Sequence, residues 1–201
     1  MSSIILAGGR SSRLGQDKSS LVIGGVNLLQ KTVDLLGQMS DDIIVVLAPE
    51  QKKPGLRSSK KVKLVKDLHE GKGPLIGIYS AMKGSSDEYY TVVACDMPFL
   101  NIDLLRYMRG IAMGFDAVTL RVAGEVEPLH AVYSRSCLNI MEQLINENQL
   151  KIRNLFEQIA VRYVDEDEID SFDPEHLSWF NINTPEDLER AEEILRQHAE
   201  S

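Results

Sequence analysis

The chain has 201 residues, a formal net charge of −8 and a pI near 5.1, which suits one domain over residues 1–201. Its acidity argues against nucleic acid or an acidic membrane surface as a partner, because both are negatively charged. No apolar run approaches the ~20 residues of a membrane-spanning helix, and strand-like sequence follows Met1 too closely to leave room for a signal peptide. Two cysteines, Cys95 and Cys137, are too few for a disulfide framework or a metal cluster. We therefore expect a cytoplasmic protein.

The first distinctive stretch is a short apolar run that ends in two glycines and a basic loop. Residues 4–7 (IILA) are typical of a buried strand. Glycines directly after a strand let backbone N–H groups approach an anion that a Cβ would exclude. The loop then supplies cationic side chains that neutralise phosphate; the residues concerned are Gly8, Gly9, Arg10, Arg13 and Lys18. The pattern predicts a triphosphate cradle, with a solvated glycine turn as the alternative.

Two other kinds of phosphate-binding loop do not match this stretch. A Walker loop ends in Gly-Lys-Ser/Thr, whereas Gly15 is followed here by Gln16 and Asp17. The dinucleotide fingerprint requires a third glycine in a register that this sequence lacks. Neither class explains the loop.

Apolar runs of strand length alternate with stretches of helical periodicity along the chain. Strands are predicted at 43–47, 62–65, 89–94, 115–122, 128–134 and 161–164, and helices at 28–39, 74–83, 137–147, 152–159 and from 185 to 198. This alternation predicts an α/β fold with three layers, in which a mostly parallel, Rossmann-like sheet carries helices on both faces. Residues 124–127 are expected to form a polar turn, and the acidic run at 165–173 a solvated surface loop.

Two aspartates follow predicted strands at positions suited to ligand binding. Asp67 precedes a glycine-rich turn and Pro74, which favours the start of a helix whose N-terminus suits an anion. Asp96, in the sequence CDMPF, follows a central strand at the edge where α/β sheets bind ligands. A carboxylate there is suited to Mg²⁺, with phosphate oxygens and water as the other ligands. The structural alternatives are a tight strand-to-helix connection for Asp67 and helix capping for Asp96.

Five stretches of the sequence resemble motifs of one enzyme family. LAGGRSSRLGQDKSSL resembles the nucleotide-binding signature of the nucleotidyltransferase superfamily, with Leu14 where methionine is usual. Residues 67–77 (DLHEGKGPLIG), CDMPF, PLHAVY and WFNINTPEDL complete the set. Within the superfamily the chain most resembles the molybdenum cofactor guanylyltransferases (MobA). The resemblance implies a fold of the nucleotide-diphospho-sugar transferase type.

The resemblance also implies roles for individual residues. The nucleotide-binding residues would be Leu6, Ala7, Gly8, Gly9, Lys18, Asp67 and Asp96. The catalytic residues would be Arg13, Lys18 and Asp96, with Asp96 as the Mg²⁺ ligand. The substrate-side candidates are His130, whose motif would border the acceptor side of the site, and Asn181 and Asn183, whose amide groups are suited to orient phosphate or to complete a metal shell through water. For His130, packing within its strand is the alternative, because the sequence shows no partner for it.

The implied activity is transfer of GMP from GTP to the phosphate of molybdopterin or of the molybdenum cofactor, with release of pyrophosphate. Transient cofactor-delivery or acceptor proteins would be its protein partners. Guanylyl relatives commonly carry an asparagine after the second strand, where this chain has Ala48 and Pro49. A cytidylyl-, sugar-1-phosphate or alcohol-phosphate nucleotidyltransferase therefore stays open. A non-catalytic nucleotide-binding module is the alternative of another class, although Arg13, Lys18 and Asp96 together argue against it.

Overall fold

The computed structural model describes residues 1–8, 18–67 and 73–200, and within them an α/β sheet structure. The strands are β1 (Ser2–Leu6), β2 (Val22–Ile23), β3 (Val26–Asn27), β4 (Asp42–Leu47), β5 (Lys61–Lys66), β6 (Tyr89–Ala94), β7 (Ala117–Val122), β8 (Glu125–Ser134) and β9 (Val161–Val164). The α-helices are α1 (Leu28–Leu36), α2 (Pro74–Lys83), α3 (Ile102–Gly110), α4 (Cys137–Asn146), α5 (Ile152–Phe156), α6 (Glu166–Ile169) and α7 (Pro185–Glu200). A short 3₁₀ turn occupies Lys18–Ser20.

Seven of these strands form one sheet in the order β5-β4-β1-β6-β8-β7-β9. The pairs β4/β5, β1/β4, β1/β6 and β7/β9 are parallel, and β8 runs antiparallel to both of its neighbours. The predicted mostly parallel α/β fold is confirmed. Because β1, β4 and β6 are parallel, their carboxyl ends meet at one edge of the sheet, where ligands bind in this class of fold.

The two faces of the sheet are buried under different helices. Along β1, Ile4 and Leu6 pack in a cluster with residues of α2, α4 and α5, whereas Ile5 and Ala7 pack with α1 and α3. Successive side chains of a strand point to opposite faces, so a strand that is apolar at every position must be covered on both. The continuous run IILA is therefore the sequence signature of a central strand.

The hairpin between β7 and β8 begins earlier than the sequence predicts. Ala123 and Gly124 both have positive φ, at 49° and 80°, and Val122 pairs directly with Glu125. Two such residues form the tight turn whose twist matches that of paired strands. Residues 125–127 are consequently in β8 and not in a polar turn, which corrects that prediction.

The acidic run at 165–173 also departs from the solvated loop that its composition predicts. It contains helix α6, and Asp165 accepts two hydrogen bonds from Arg121, at 2.7 and 2.8 Å. Asp173 is buried and accepts a hydrogen bond from the backbone N–H of Ser178 at 2.7 Å. Partners on other elements thus order a segment whose composition alone favours solvent exposure. None of the described helices combines the length and apolar character needed to cross a membrane.

The carboxyl ends of β1 and β4 lie in close contact at Gly8. A Cβ built on Gly8 would lie 2.9 Å from the backbone N of Ala48 and 3.2 Å from the backbone C of Leu47. Both atoms belong to the main chain, which cannot move aside as the end of a flexible side chain can. Only glycine fits here without displacing β4.

We therefore expect Gly8→Ala to lower the free energy of unfolding by about 1–3 kcal/mol, because overpacking against backbone forces a shift of the strand ends. Urea denaturation of the purified variant measures this change. Gly55→Ala is the matched control, since a Cβ there has no atom within 4 Å. Equal stability of the two variants would contradict the close contact.

Candidate active site

Asp96 lies at the carboxyl edge of the sheet, two residues after β6 ends. Asp96 as a whole is only 3% exposed, and its backbone carbonyl accepts a hydrogen bond from the N–H of Ile182 at 3.0 Å. This bond ties the segment before α7 to the end of β6. Helix α7 begins as the sequence predicts, with Thr184 and Asp187 exchanging capping hydrogen bonds.

Lys18 connects three segments that are far apart in the sequence. Its ammonium forms an ion pair with Asp96 Oδ2, and it donates a hydrogen bond to Asn183 Oδ1 at 3.1 Å. The Asp96 side chain is 4% exposed and that of Lys18 is 21% exposed, so the pair is largely removed from water. Charge-assisted bonds in such surroundings are stronger than bonds between neutral groups. Three predicted site residues are thereby brought together.

Glu127 is a fourth polar residue at this edge, and the sequence interpretation missed it by assigning it to a turn. Its Oε1 accepts a hydrogen bond from the N–H of Leu129 at 3.1 Å, and its Oε2 from Asn181 Nδ2 at 3.5 Å. Burial raises the pKa of Glu127, and the nearby negative charge of Asp96 raises it further. The two carboxylates are therefore close enough to repel each other.

Gln51 is a further residue that the sequence interpretation did not single out. Its Nε2 donates to the carbonyl of Ala7 at 3.0 Å, and its Oε1 accepts from the N–H of Ala48 at 2.9 Å. The carboxamide thus bridges the ends of β1 and β4 beside Gly8. This chain has Ala48 and Pro49 where guanylyl relatives commonly carry an asparagine, and the amide side chain at this edge comes instead from Gln51, three residues after Ala48. Only a known loop conformation would have revealed it.

Asp67 directly follows β5 at the same edge. Its N–H donates to the carbonyl of Leu47 at 2.8 Å, and a Cβ built on Gly77 would lie 3.7 Å from Asp67 Oδ2 and 3.2 Å from Leu6 Cδ2. Glycine at position 77 therefore lets α2 approach β1 and the Asp67 carboxylate. Four of the predicted nucleotide-binding residues lie at the ends of neighbouring strands. Leu6, Ala7 and Gly8 are at the end of β1, and Asp67 is at the end of β5, with β4 between these two strands. Gly9 and Arg13 lie outside the described residues.

His130 lies in the interior of the sheet. Its residue is 0% exposed, and its Nε2 lies 2.7 Å from Ser178 Oγ. It pairs with Val93 inside the sheet. Of the two roles considered for His130, this burial fits packing within its strand and gives no support to contact with an acceptor substrate.

The side chains around Asp96 suit a magnesium ion. Among the described residues no group of three or more His, Cys, Asp or Glu side chains forms a metal cage. Mg²⁺ does not need one, since it is held by one or two carboxylates together with water and substrate phosphates. The ammonium of Lys18 already lies between a carboxylate oxygen of Asp96 and the carboxamide oxygen of Asn183. These are hard oxygen donors around a position that accommodates a cation.

A buried carboxylate paired with a lysine at the carboxyl edge of a mostly parallel, doubly covered sheet lies where α/β proteins of this class bind their ligands. The family model described as "MobA-like NTP transferase domain" matches residues 3–163. The chain belongs to this family of nucleotidyltransferases.

Individual relatives agree with this assignment over almost the whole chain. A probable molybdenum cofactor guanylyltransferase of Pelotomaculum thermopropionicum is 36% identical over 94% of this chain and 90% of its own length. The molybdenum cofactor guanylyltransferase of Desulfosudis oleivorans is 32% identical over 96% and 95%. The structure of molybdopterin-guanine dinucleotide biosynthesis protein A from Archaeoglobus fulgidus superposes with a TM-score of 0.84 at 31% identity, covering 98% of this chain and 100% of that one.

A more distant structure shows the fold alone. The 2-C-methyl-D-erythritol 4-phosphate cytidylyltransferase of Thermus thermophilus superposes with a TM-score of 0.70 at 18% identity, covering 96% of this chain and 98% of that one. The predicted nucleotide-diphospho-sugar transferase type of fold is confirmed by such neighbours.

The burial of His130 has a consequence for stability. Burial lowers the pKa of His130 from 6.5 to about 4. The unfolded chain therefore binds more protons than the folded chain between these two pH values, and stability falls as the pH decreases through this range. The loss amounts to about 3 kcal/mol between pH 7 and pH 4.

We expect His130→Gln to lose about 3 kcal/mol less than the wild type over the same pH range, because glutamine does not titrate. Urea denaturation at a series of pH values measures both curves. His198→Gln, which changes a histidine whose side chain is 48% exposed, is the control. Parallel curves for wild type and His130→Gln would contradict a buried, neutral His130.

Proposed function

We propose that this protein transfers GMP from GTP to the terminal phosphate of molybdopterin or of the metal-bound molybdenum cofactor, releasing pyrophosphate. The observation that carries the proposal is the convergence of Lys18, Asp96 and Asn183 at the carboxyl edge of the sheet. The relatives named as molybdenum cofactor guanylyltransferases support the choice of substrates. The reaction belongs in the cytoplasm, where transient delivery or acceptor proteins would supply and receive the pterin.

The chemistry is an in-line displacement at the α-phosphorus of GTP. An oxygen of the acceptor phosphate forms the new bond, and the bond from the α-phosphorus to the bridging oxygen of the β-phosphate breaks. The acceptor is already an anion, so no strong base is required. Catalysis then rests on positioning and on stabilisation of the spreading negative charge.

Cationic groups at the start of the chain would bind the leaving pyrophosphate. Lys18 is the described one, and Arg13 with the backbone of Gly8 and Gly9 would act beside it. To reach a phosphate, the Lys18 ammonium exchanges its contact with Asp96 for one with the nucleotide. The ends of β1 and β5 would hold the nucleoside, through Leu6, Ala7, Gly8 and Asp67.

Asp96 would hold Mg²⁺, and the carboxamide oxygens of Asn181 and Asn183 are suited to ligate it or its water shell. When bound, the ion supplies positive charge next to the phosphate oxygens and lowers the cost of bringing two anions together. Asp96 then serves to fix the triphosphate in line with the acceptor. Its burial keeps competing water away from the carboxylate.

Nucleotide selectivity tests the guanylyl part of the proposal. We expect GTP with Mg²⁺ to raise the melting temperature more than CTP, UTP or ATP at equal concentration. The stabilisation grows with the ratio of ligand concentration to dissociation constant, and the preferred nucleotide has the lowest dissociation constant. Thermal unfolding with each nucleotide measures the shifts. A larger shift with CTP would replace guanylyl by cytidylyl transfer.

Substitution of Asp96 tests the catalytic part. We expect Asp96→Asn to reduce pyrophosphate release from GTP and purified molybdopterin by about 100-fold or more, since the substitution removes the carboxylate charge from the site. Asp103→Asn, at an exposed aspartate in the first turn of α3, is the control. Near-normal turnover of Asp96→Asn with an unchanged melting temperature would rule out the role given to Asp96.

A further inference from the structure

An irregularity in the sheet brings Glu127 towards Asp96 and Asn181. The pairing of β7 with β8 runs regularly through Thr119 and Ala131, and then Leu120 pairs with Glu127. Residues 128–130 therefore have no partners on β7. Without this bulge, Leu120 would pair with His130. Bulges of this kind redirect side chains and are common next to active sites.

Two hydrogen bonds hold the bulge in its conformation. Thr119 Oγ1 donates to the carbonyl of Glu127 at 2.8 Å, and the Tyr133 hydroxyl donates to the carbonyl of Pro128 at 2.9 Å. Tyr133 is fully buried. The backbone of Glu127 is thus fixed from the core side, and its carboxylate is carried on a rigid element.

The Glu127 carboxylate has donors but no cation for a partner among the described residues. One oxygen accepts from the N–H of Leu129 and the other from Asn181 Nδ2. It is half-buried and lies within reach of the negative charge of Asp96. Such a position costs free energy, because a carboxylate is desolvated next to another one. A structural role at the hairpin would be met equally well by a neutral residue.

The consequence for Asn181 concerns the orientation of its carboxamide. Its Nδ2 donates to the carbonyl of Trp179 at 2.9 Å as well as to Glu127. Both amide hydrogens are thereby used, and no other described residue donates to Asn181 Oδ1. An asparagine held in this way offers a ligand only its oxygen, the end that suits a cation or its water shell.

We infer that Glu127 is a positioning residue, which fixes the Asn181 carboxamide with its oxygen available to the metal–triphosphate complex. The inference rests on the proposed function, because it concerns the same cation. Glutamate is needed for this task since it offers two acceptors, one for Leu129 and one for Asn181. Glutamine offers one acceptor and one donor, so that its amide nitrogen would face Asn181 and favour the flipped carboxamide.

The test is the affinity for the Mn²⁺–GTP complex, in which Mn²⁺ is a spectroscopic substitute for Mg²⁺, measured by the change in the electron paramagnetic resonance spectrum of the preformed complex as the protein is added in the absence of acceptor. We expect Glu127→Gln to weaken binding of the complex about tenfold, as is usual when a partner of a metal-binding side chain is removed. Glu125→Gln is the control, because Glu125 is exposed on the same strand.

A double-substitution cycle separates an indirect role from a direct one. We expect Asn181→Ala to weaken binding of the Mn²⁺–GTP complex by a similar factor, and the double variant Glu127→Gln/Asn181→Ala to be no weaker than Asn181→Ala. Asn181→Ala alone tests the inference if Glu127→Gln does not fold.

Three results would count against these ideas in different ways. Wild-type affinity in either single variant overturns the inference, as does a full additional loss in the double variant, which would mean that Glu127 acts without Asn181. Failure of the wild type to bind the Mn²⁺–GTP complex overturns the proposed function itself.

Discussion

The ion pair between Lys18 and Asp96 is the interaction on which the arrangement of the site depends. A carboxylate that is only 4% exposed is costly unless a cation or several donors compensate it. Lys18 meets this requirement from the 3₁₀ turn Lys18–Ser20, which lies beside the end of β6. The hydrogen bond from Lys18 to Asn183 brings the segment before α7 to the same point. The ion pair and this hydrogen bond thus join three separate segments at the buried carboxylate of Asp96.

The sheet supplies the rigid support for this charge cluster. Because β1, β4 and β6 are parallel, their loops open at one edge, and residues from the two halves of the chain face each other there. The antiparallel strand β8 enters this edge from the other direction. It carries Glu127 on a bulge, so that a second carboxylate comes within range of Asp96. Accumulation of negative charge in one place is the property expected of a site that binds a cation together with a phosphate.

A nucleotide-binding module without catalysis would not need this arrangement. Backbone N–H groups and cationic side chains suffice to bind a triphosphate, whereas a buried carboxylate at the same position weakens that binding by repulsion. Asp96 becomes useful only when a cation mediates between it and the phosphates. Membership of the nucleotidyltransferase family agrees with this electrostatic argument.

The sequence by itself determined the fold class, and it pointed to Lys18, Asp96 and Asn183, which the structure brings into contact. Continuous apolar strands such as IILA require cover on both faces, and glycine and aspartate directly after strands indicate a ligand edge, because both are local properties of the chain. Only the tertiary structure decided where the side chains of His130, Glu127 and Gln51 lie and what they contact. Burial of His130 follows from its neighbours in the sheet, Glu127 comes near Asn181 and Asp96 through a bulge, and Gln51 reaches the ends of β1 and β4 from a loop. These positions depend on pairing register and on contacts between distant residues, which periodicity and composition do not encode.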